Sequence, residues 1–249
     1  MIIFNNRKVG LVKEFVRFCL RTVLRLMKAK CIFEFDVNNL PKKGVYVVNH
    51  VSYLDPILLF AFLPGNPVFA LNGHLYRRHW ISFLMGRADI IKFNPIEPSD
   101  IKKLIAKVDE GRLVVIFAEG RITENGGLMK IYEAPGLVAD KSKSPIIPVW
   151  IDGPQYGYFS KTKGKLPHRP LPKMRIYVGK PRSFKLKDEL RRQRDHISNE
   201  VYMILREMCF DINYDKNISL FAQLMKTAKV YSRTGFLSPP VLCGICLIL

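Results

Sequence analysis

The run Asn49-His50-Val51-Ser52-Tyr53-Leu54-Asp55 places a potential base and a potential partner for it in one short stretch. On a continuous helix five steps would set His50 and Asp55 about 140° apart, so they meet only if the chain turns between them. The flanks supply that turn. Val45-Tyr46-Val47-Val48 reads as a short buried strand, and Asp55-Pro56 as the N-cap and first position of a following helix. A carboxylate on one imidazole nitrogen leaves the other as a base near neutral pH. Taken alone, so loose a pattern is more often an ordinary loop between strand and helix.

A second motif changes that weighting. Leu113-Val114-Val115-Ile116-Phe117 is uninterrupted and apolar, as in a strand covered on both faces, and it delivers Glu119-Gly120-Arg121 at its C-terminal end. Open α/β sheets hold their ligands at that edge. A glycine between an acid and a guanidinium permits close backbone approach to an anion, and arginine suits phosphate through its paired donors. The bland reading, a surface ion pair between Glu119 and Arg121, explains only half of this arrangement.

These residues resemble the glycerolipid (lysophospholipid) acyltransferase family. Its first block, Asn-His-x-x-x-x-Asp, is matched by Asn49, His50 and Asp55. Its Phe-Pro-Glu-Gly block with a nearby Arg is matched by Phe117, Glu119, Gly120 and Arg121, with Ala118 in place of proline. Ile146-Ile147-Pro148-Val149 is similar to a further block, an apolar strand ending in proline. The likeness extends over roughly residues 10–230. Glu119-Gly120-Arg121-Ile122-Thr123 and Gly127–Tyr132 look like one subgroup, the acyltransferase half of the bacterial bifunctional 2-acylglycerophosphoethanolamine acyltransferase/acyl-ACP synthetase.

Two departures bear on the substrate. Lysophosphatidate acyltransferases usually end a second block in an arginine that binds the glycerol phosphate, whereas Ile90-Ile91-Lys92-Phe93-Asn94-Pro95 has none. A weaker clamp favours a phosphodiester head group, with Lys92 as a partial substitute. The bifunctional proteins also carry a large synthetase, for which 249 residues leave no room. The expectation is a stand-alone acyltransferase or the product of a split or truncated gene.

The elements that must position these residues follow from periodicity. Strand-like runs cover Cys31–Val37, Val45–Asn49, Val68–Leu71, Arg87–Lys92, Leu113–Phe117, Ile146–Ile151 and Met174–Val178. Helical runs fall near Pro56–Leu63, His74–Gly86, Pro98–Glu110, Lys130–Asp140 and Lys187–Met208. Such alternation predicts an α/β fold, a mostly parallel central sheet flanked by helices. Three regions follow: a basic amphipathic helix over 1–30, an acyltransferase domain over 31–212, and a C-terminal extension over 213–249. A helix over 217–232 and the apolar tail Val241–Leu249 belong to the last. The loop Gly153–Pro172, with Tyr156, Tyr158 and Phe159, either contacts lipid or carrier or is a plain excursion.

Residues 7–30 hold eight basic residues against the single acid Glu14. Lys13, Arg17, Arg21, Arg25 and Lys28 recur every three or four positions, with apolar residues on the other face. A basic amphipathic helix reads as seeking a membrane surface, and Arg17, Arg21 and Arg25 are its expected lipid contacts. Packing on the sheet with a solvated basic face is the competing reading. The net charge of +19 asks for an anionic partner: membrane, an acidic carrier protein or nucleic acid. No nucleic-acid module is recognisable. The lone pair Cys243/Cys246 has no second pair, so the cysteines read as reduced thiols. No stretch reaches the ~20 apolar residues of a membrane span, and no signal-peptide pattern opens the chain.

The expected chemistry is direct transfer of an acyl group to a lysophospholipid hydroxyl, with His50 as base oriented by Asp55. No Gly-x-Ser-x-Gly elbow is present, so no acyl-enzyme is expected, and Ser52 reads as a loop residue. Glu119, Gly120 and Arg121 would position the glycerophospho group, with Asn49 and backbone N–H groups as oxyanion donors. The resemblance implies acyl-ACP or acyl-CoA as donor and lysophosphatidylethanolamine as acceptor, with lysophosphatidate the alternative. It also implies a separate acyl-ACP synthetase as a possible partner. No metal or other cofactor is expected, because the histidine–carboxylate pair can serve as base without one. A non-catalytic basic membrane-binding protein is the alternative of another class. The expected location is peripheral, on the cytoplasmic face of a bacterial inner membrane.

Overall fold

Val45–Val48 and Leu113–Phe117 are buried at every position because their strands lie inside a sheet covered on both sides. The computed structural model describes residues 3–72, 83–94, 97–162, 164–183 and 194–215. In chain order these form α1 (Ile3–Leu26), β1 (Ala29–Phe33), β2 (Gly44–Val48), α2 (Asp55–Phe62), β3 (Val68–Leu71), β4 (Asp89–Lys92), α3 (Pro98–Asp109), β5 (Leu113–Phe117), α4 (Ala134–Lys141), β6 (Ile146–Asp152), β7 (Met174–Val178) and α5 (Arg194–Asp215). Most of the helix expected over 74–86 lies outside the described residues, as do the start of the one expected from Lys187, the 217–232 helix and the apolar tail.

The strand order is β1-β7-β6-β2-β5-β3-β4. Every neighbouring pair is parallel except β6–β7. This is the mostly parallel α/β sheet that the alternating pattern predicts. Side chains alternate across it. Tyr46, Val48, Leu113, Val115 and Phe117 join a core with α2, while Val45, Val47, Val114 and Ile116 join one with α3, α4 and Ile197, Val201 and Leu205. The chain divides into two compact units, Met1–Met208 and Cys209–Leu249.

The first helix is seated the opposite way from the expectation. Arg17 is 6% exposed and Lys13 8%. Arg17 Nε donates to the Phe60 carbonyl at 2.9 Å, Arg17 Nη2 to the Leu63 carbonyl, and Arg21 Nε to the Ala61 carbonyl at 3.0 Å. The carbonyls of a helix's last turn lack partners within the helix and form the negative end of its dipole, so guanidinium groups suit them. The face left in solvent is apolar: Leu11, Phe15, Phe18 and Leu26 are 72, 67, 64 and 79% exposed. Arg17 is therefore a packing residue, and Arg21 is largely one. Of the three arginines expected to reach lipid, Arg25 alone is exposed.

Candidate active site

Val48 pairs with Phe117 in the parallel register of β2 and β5, so His50 and Glu119 leave the sheet side by side at its C-terminal edge. The Ala118 N–H extends the ladder by donating to the Val48 carbonyl at 2.9 Å. The turn expected after β2 is present, one residue shifted. Asp55 is the first residue of α2 and not its cap, and its carboxylate looks backward along the chain. Asp55 Oδ2 lies 2.8 Å from His50 Nδ1 and also accepts the Val51 and Ser52 N–H groups at 2.7 and 2.8 Å. Asp55 is fully buried and His50 is 5% exposed. The imidazole stacks on Phe117, centroids 4.2 Å apart and planes at 26°. A carboxylate on Nδ1 places the hydrogen there and leaves Nε2 as the proton acceptor. The start of α2 adds the positive end of a helix dipole beside the carboxylate.

Glu119 and Asn49, expected as substrate contacts, are tied to backbone in the structure. The His50 N–H donates to Glu119 Oε1 and the Met129 N–H to Oε2, both at 2.9 Å. Asn49 Nδ2 donates to the Ile151 carbonyl at 3.0 Å, and the Ile151 N–H donates to Asn49 Oδ1 at 2.7 Å, clasping the end of β2 to β6. With 1% of each residue exposed, these side chains build the site from behind. Backbone pairing across three strands sets both roles, and neither residue's type nor spacing announces it. Gly120 has φ +62, a left-handed conformation that a side chain strains, so the turn after β5 favours glycine. Arg121, just beyond it, is exposed at the same edge.

Ser52, read from sequence as a plain loop residue, is fully buried and engaged on two sides. Its Oγ donates to the Phe159 carbonyl at 3.1 Å and accepts the Leu54 N–H at 3.2 Å, while the Tyr53 N–H also donates to Phe159 at 3.0 Å. The loop after β6 thus braces the turn between His50 and Asp55. Lys92 is exposed at the end of β4, three strands from β2, or about 14 Å at ~4.8 Å per strand.

Burial raises the Glu119 carboxyl to about 7; the two N–H donors oppose that shift, the Asp55 charge adds to it, and Arg121 opposes it. Protonation would put a hydrogen on one of two oxygens that both receive N–H groups. Glu119→Gln does the same permanently, facing an amide NH2 toward a backbone donor. Transfer activity is expected to fall about tenfold or more in this variant, the scale of a charged hydrogen bond. The stability effect has a definite sign. Between the unfolded value of 4.5 and the folded value of about 7 the native state binds more protons, so the Glu119 contribution declines as pH rises through that window. The wild-type Tm minus that of Glu119→Gln should fall across it and be flat above. A pH-independent difference would contradict the raised pKa.

An imidazole backed by a buried carboxylate, at a mostly parallel sheet's C-terminal edge beside an exposed arginine, is an arrangement suited to acyl transfer between oxygen and a thioester. Residues 33–152, which contain every part of it except the Phe159 brace, match the acyltransferase family model. That stretch is similar to the family, and the protein is an O-acyltransferase. The chain is 26% identical over 174 residues to the 1-acyl-sn-glycerol-3-phosphate acyltransferase of Bacillus subtilis (strain 168), a match spanning 66% of this chain and 81% of that one. Its fold is similar to the crystal structure of PlsC, the 1-acyl-sn-glycerophosphate (LPA) acyltransferase of Thermotoga maritima. The TM-score is 0.58 with 16% identity, over 83% of this chain and 84% of that one.

Proposed function

We propose that the protein transfers a fatty acyl group from the thioester of acyl-ACP or acyl-CoA to the free hydroxyl of a lysophospholipid, and that the acceptor is lysophosphatidate. The observation that carries the chemistry is His50 Nδ1 held 2.8 Å from the buried Asp55 carboxylate. His50 Nε2 takes the proton of the acceptor hydroxyl as its oxygen attacks the thioester carbonyl. The carbon–sulfur bond breaks, the thiolate leaves, and the imidazolium returns the proton to it, giving an ester and a free thiol. Arg121 is the exposed cation best placed for the acceptor phosphate, with Lys92 further along the same edge.

The names of both relatives support lysophosphatidate. A second reading, lysophosphatidylethanolamine, is favoured by β4 ending in Ile90-Ile91-Lys92 without an arginine, and by the resemblance to the bifunctional subgroup. On that reading a separate acyl-ACP synthetase supplies the donor. The deciding experiment compares the two acceptors by kcat/KM with acyl-ACP and with acyl-CoA. Arg121→Ala should raise the acceptor KM and lower kcat/KM about tenfold or more, as loss of a charged hydrogen bond of ~1.5–3 kcal/mol implies. A defect confined to the donor KM would move Arg121 to the carrier side.

Among the described residues no helix is long and apolar enough to cross a membrane. The proposed attachment is peripheral, to the cytoplasmic face of a bacterial inner membrane. It acts through the exposed apolar row Leu11, Phe15, Phe18 and Leu26 of α1, where lipid removes from water what the fold leaves exposed.

A further inference from the structure

We propose that the groove between the C-terminal half of α1, β1 and the end of α2 binds the phosphate of an anionic phospholipid. The proposal rests on the reading of peripheral membrane attachment and gives it a specific lipid contact. The groove holds about 570 Å³ and is lined by five cations, Arg17, Arg21, Arg25, Lys28 and Lys30, with Ile32 and Phe62 among its apolar walls. Among the described residues, no aspartate or glutamate lines it.

The cations divide into two sets. Arg17 and Arg21 spend donors on carbonyls at the end of α2 and at Leu63 just after it, and Arg17 also pairs with Glu14 at 2.9 Å. Arg25, Lys28 and Lys30 are exposed, and among the described residues none of them forms an ion pair with a carboxylate. Arg25 is held over the Phe62 ring at 5.9 Å. Lys28 adopts φ +65, with its N–H donating to the Arg25 carbonyl at 2.9 Å, so the chain turns tightly from α1 into β1 and keeps Lys28 and Lys30 beside Arg25. Burial, and after it repulsion from Arg17 and Arg25, pushes the Arg21 guanidinium below its usual pKa, as expected where cations outnumber their partners.

This groove is separate from the catalytic edge. The eight-residue α2, about 12 Å long, has Asp55 at one end and Phe62 at the groove. Lipid is the favoured source of the phosphate because of what adjoins the cations. Phe18 and Arg25 are seven residues apart, two turns along one line of α1, so the exposed apolar row leads directly into the basic groove. A ligand with an anionic head and apolar chains matches that sequence of surfaces, whereas inorganic phosphate makes no use of the apolar row.

The test uses the full chain and sedimentation with phosphatidylcholine vesicles, with and without phosphatidylglycerol. The groove variant is Arg25→Glu/Lys28→Glu/Lys30→Glu. Its control, Lys102→Glu/Lys141→Glu/Lys143→Glu, makes the same charge change at exposed positions in α3, at the end of α4 and just after it. At ~1 kcal/mol per basic residue near an anionic surface, the groove variant should lose about tenfold or more of the binding that phosphatidylglycerol adds. It should keep binding to phosphatidylcholine, and the control should lose far less. Equal losses in both variants would reduce the effect to bulk charge and overturn the groove.

Phe15→Ser/Phe18→Ser should release the protein from both kinds of vesicle. Wild type that binds neither kind overturns the attachment reading. The groove then stands or falls on titration with water-soluble dihexanoylphosphatidylglycerol: binding that the groove variant abolishes upholds it, and no binding overturns it. Inorganic phosphate binding as tightly as the short-chain lipid, or coenzyme A displacing that lipid, would show an anion site of another kind and overturn the lipid assignment.

Discussion

His50→Ala is expected to lower kcat by about 10²–10⁴-fold, the range that general base catalysis supplies. The fold should persist, because the ring is one wall of a site already braced by Glu119, Asn49 and Ser52 through backbone contacts. Asp55→Asn separates charge from geometry. Asp55 Oδ2 receives three donors while Oδ1 is buried without a partner among the described residues. An asparagine can place its oxygen at the first position and its NH2 at the second, which preserves the turn but leaves a buried donor unmet and no carboxylate to stabilise the imidazolium. Most of the His50→Ala loss should therefore reappear in Asp55→Asn, at a stability cost of about 1–3 kcal/mol. Single-turnover transfer at saturating acceptor, with thermal unfolding on the same samples, measures both. Turnover near wild type in His50→Ala would eliminate the base mechanism.

Arg17→Ala should destabilise the protein by about 2–4 kcal/mol, on the scale of 1–3 kcal/mol for each buried polar group left unmet. The variant strands the Phe60 and Leu63 carbonyls and removes the guanidinium that lies 5.9 Å from the Phe60 ring. Arg25→Glu, on the exposed side of the same helix, should stay within about 0.5 kcal/mol, as surface changes generally do. Urea unfolding midpoints at a common slope distinguish the two. Equal midpoints would mean that α1 is not anchored through Arg17. A vesicle experiment that reverses Arg17 together with Arg21 and Arg25 would confound lost lipid attraction with a loosened helix, so the groove variant leaves Arg17 and Arg21 intact.

The two apolar runs at 45–48 and 113–117 were legible as buried strands because central strands of a parallel sheet have no polar face to encode. His50 and Asp55 were legible as a pair because the turn between them is local, five residues long and marked by Asp55-Pro56. The orientation of α1 was not legible. Periodicity shows that a helix has two faces, but which one is buried depends on what it meets. Here it meets carbonyls at 60–63, some forty residues away, whose need for donors outweighs the usual preference for burying phenylalanine. Glu119 and Asn49 carried a family's substrate-contacting look, yet the register of β2 against β5 and β6 turns both inward to backbone groups. Local pattern thus marked the candidate site residues and the runs that form the sheet. Long-range pairing alone decided which polar side chains hold the site together and which remain free to meet a substrate, because a buried N–H or C=O must find its partner wherever the tertiary fold supplies one.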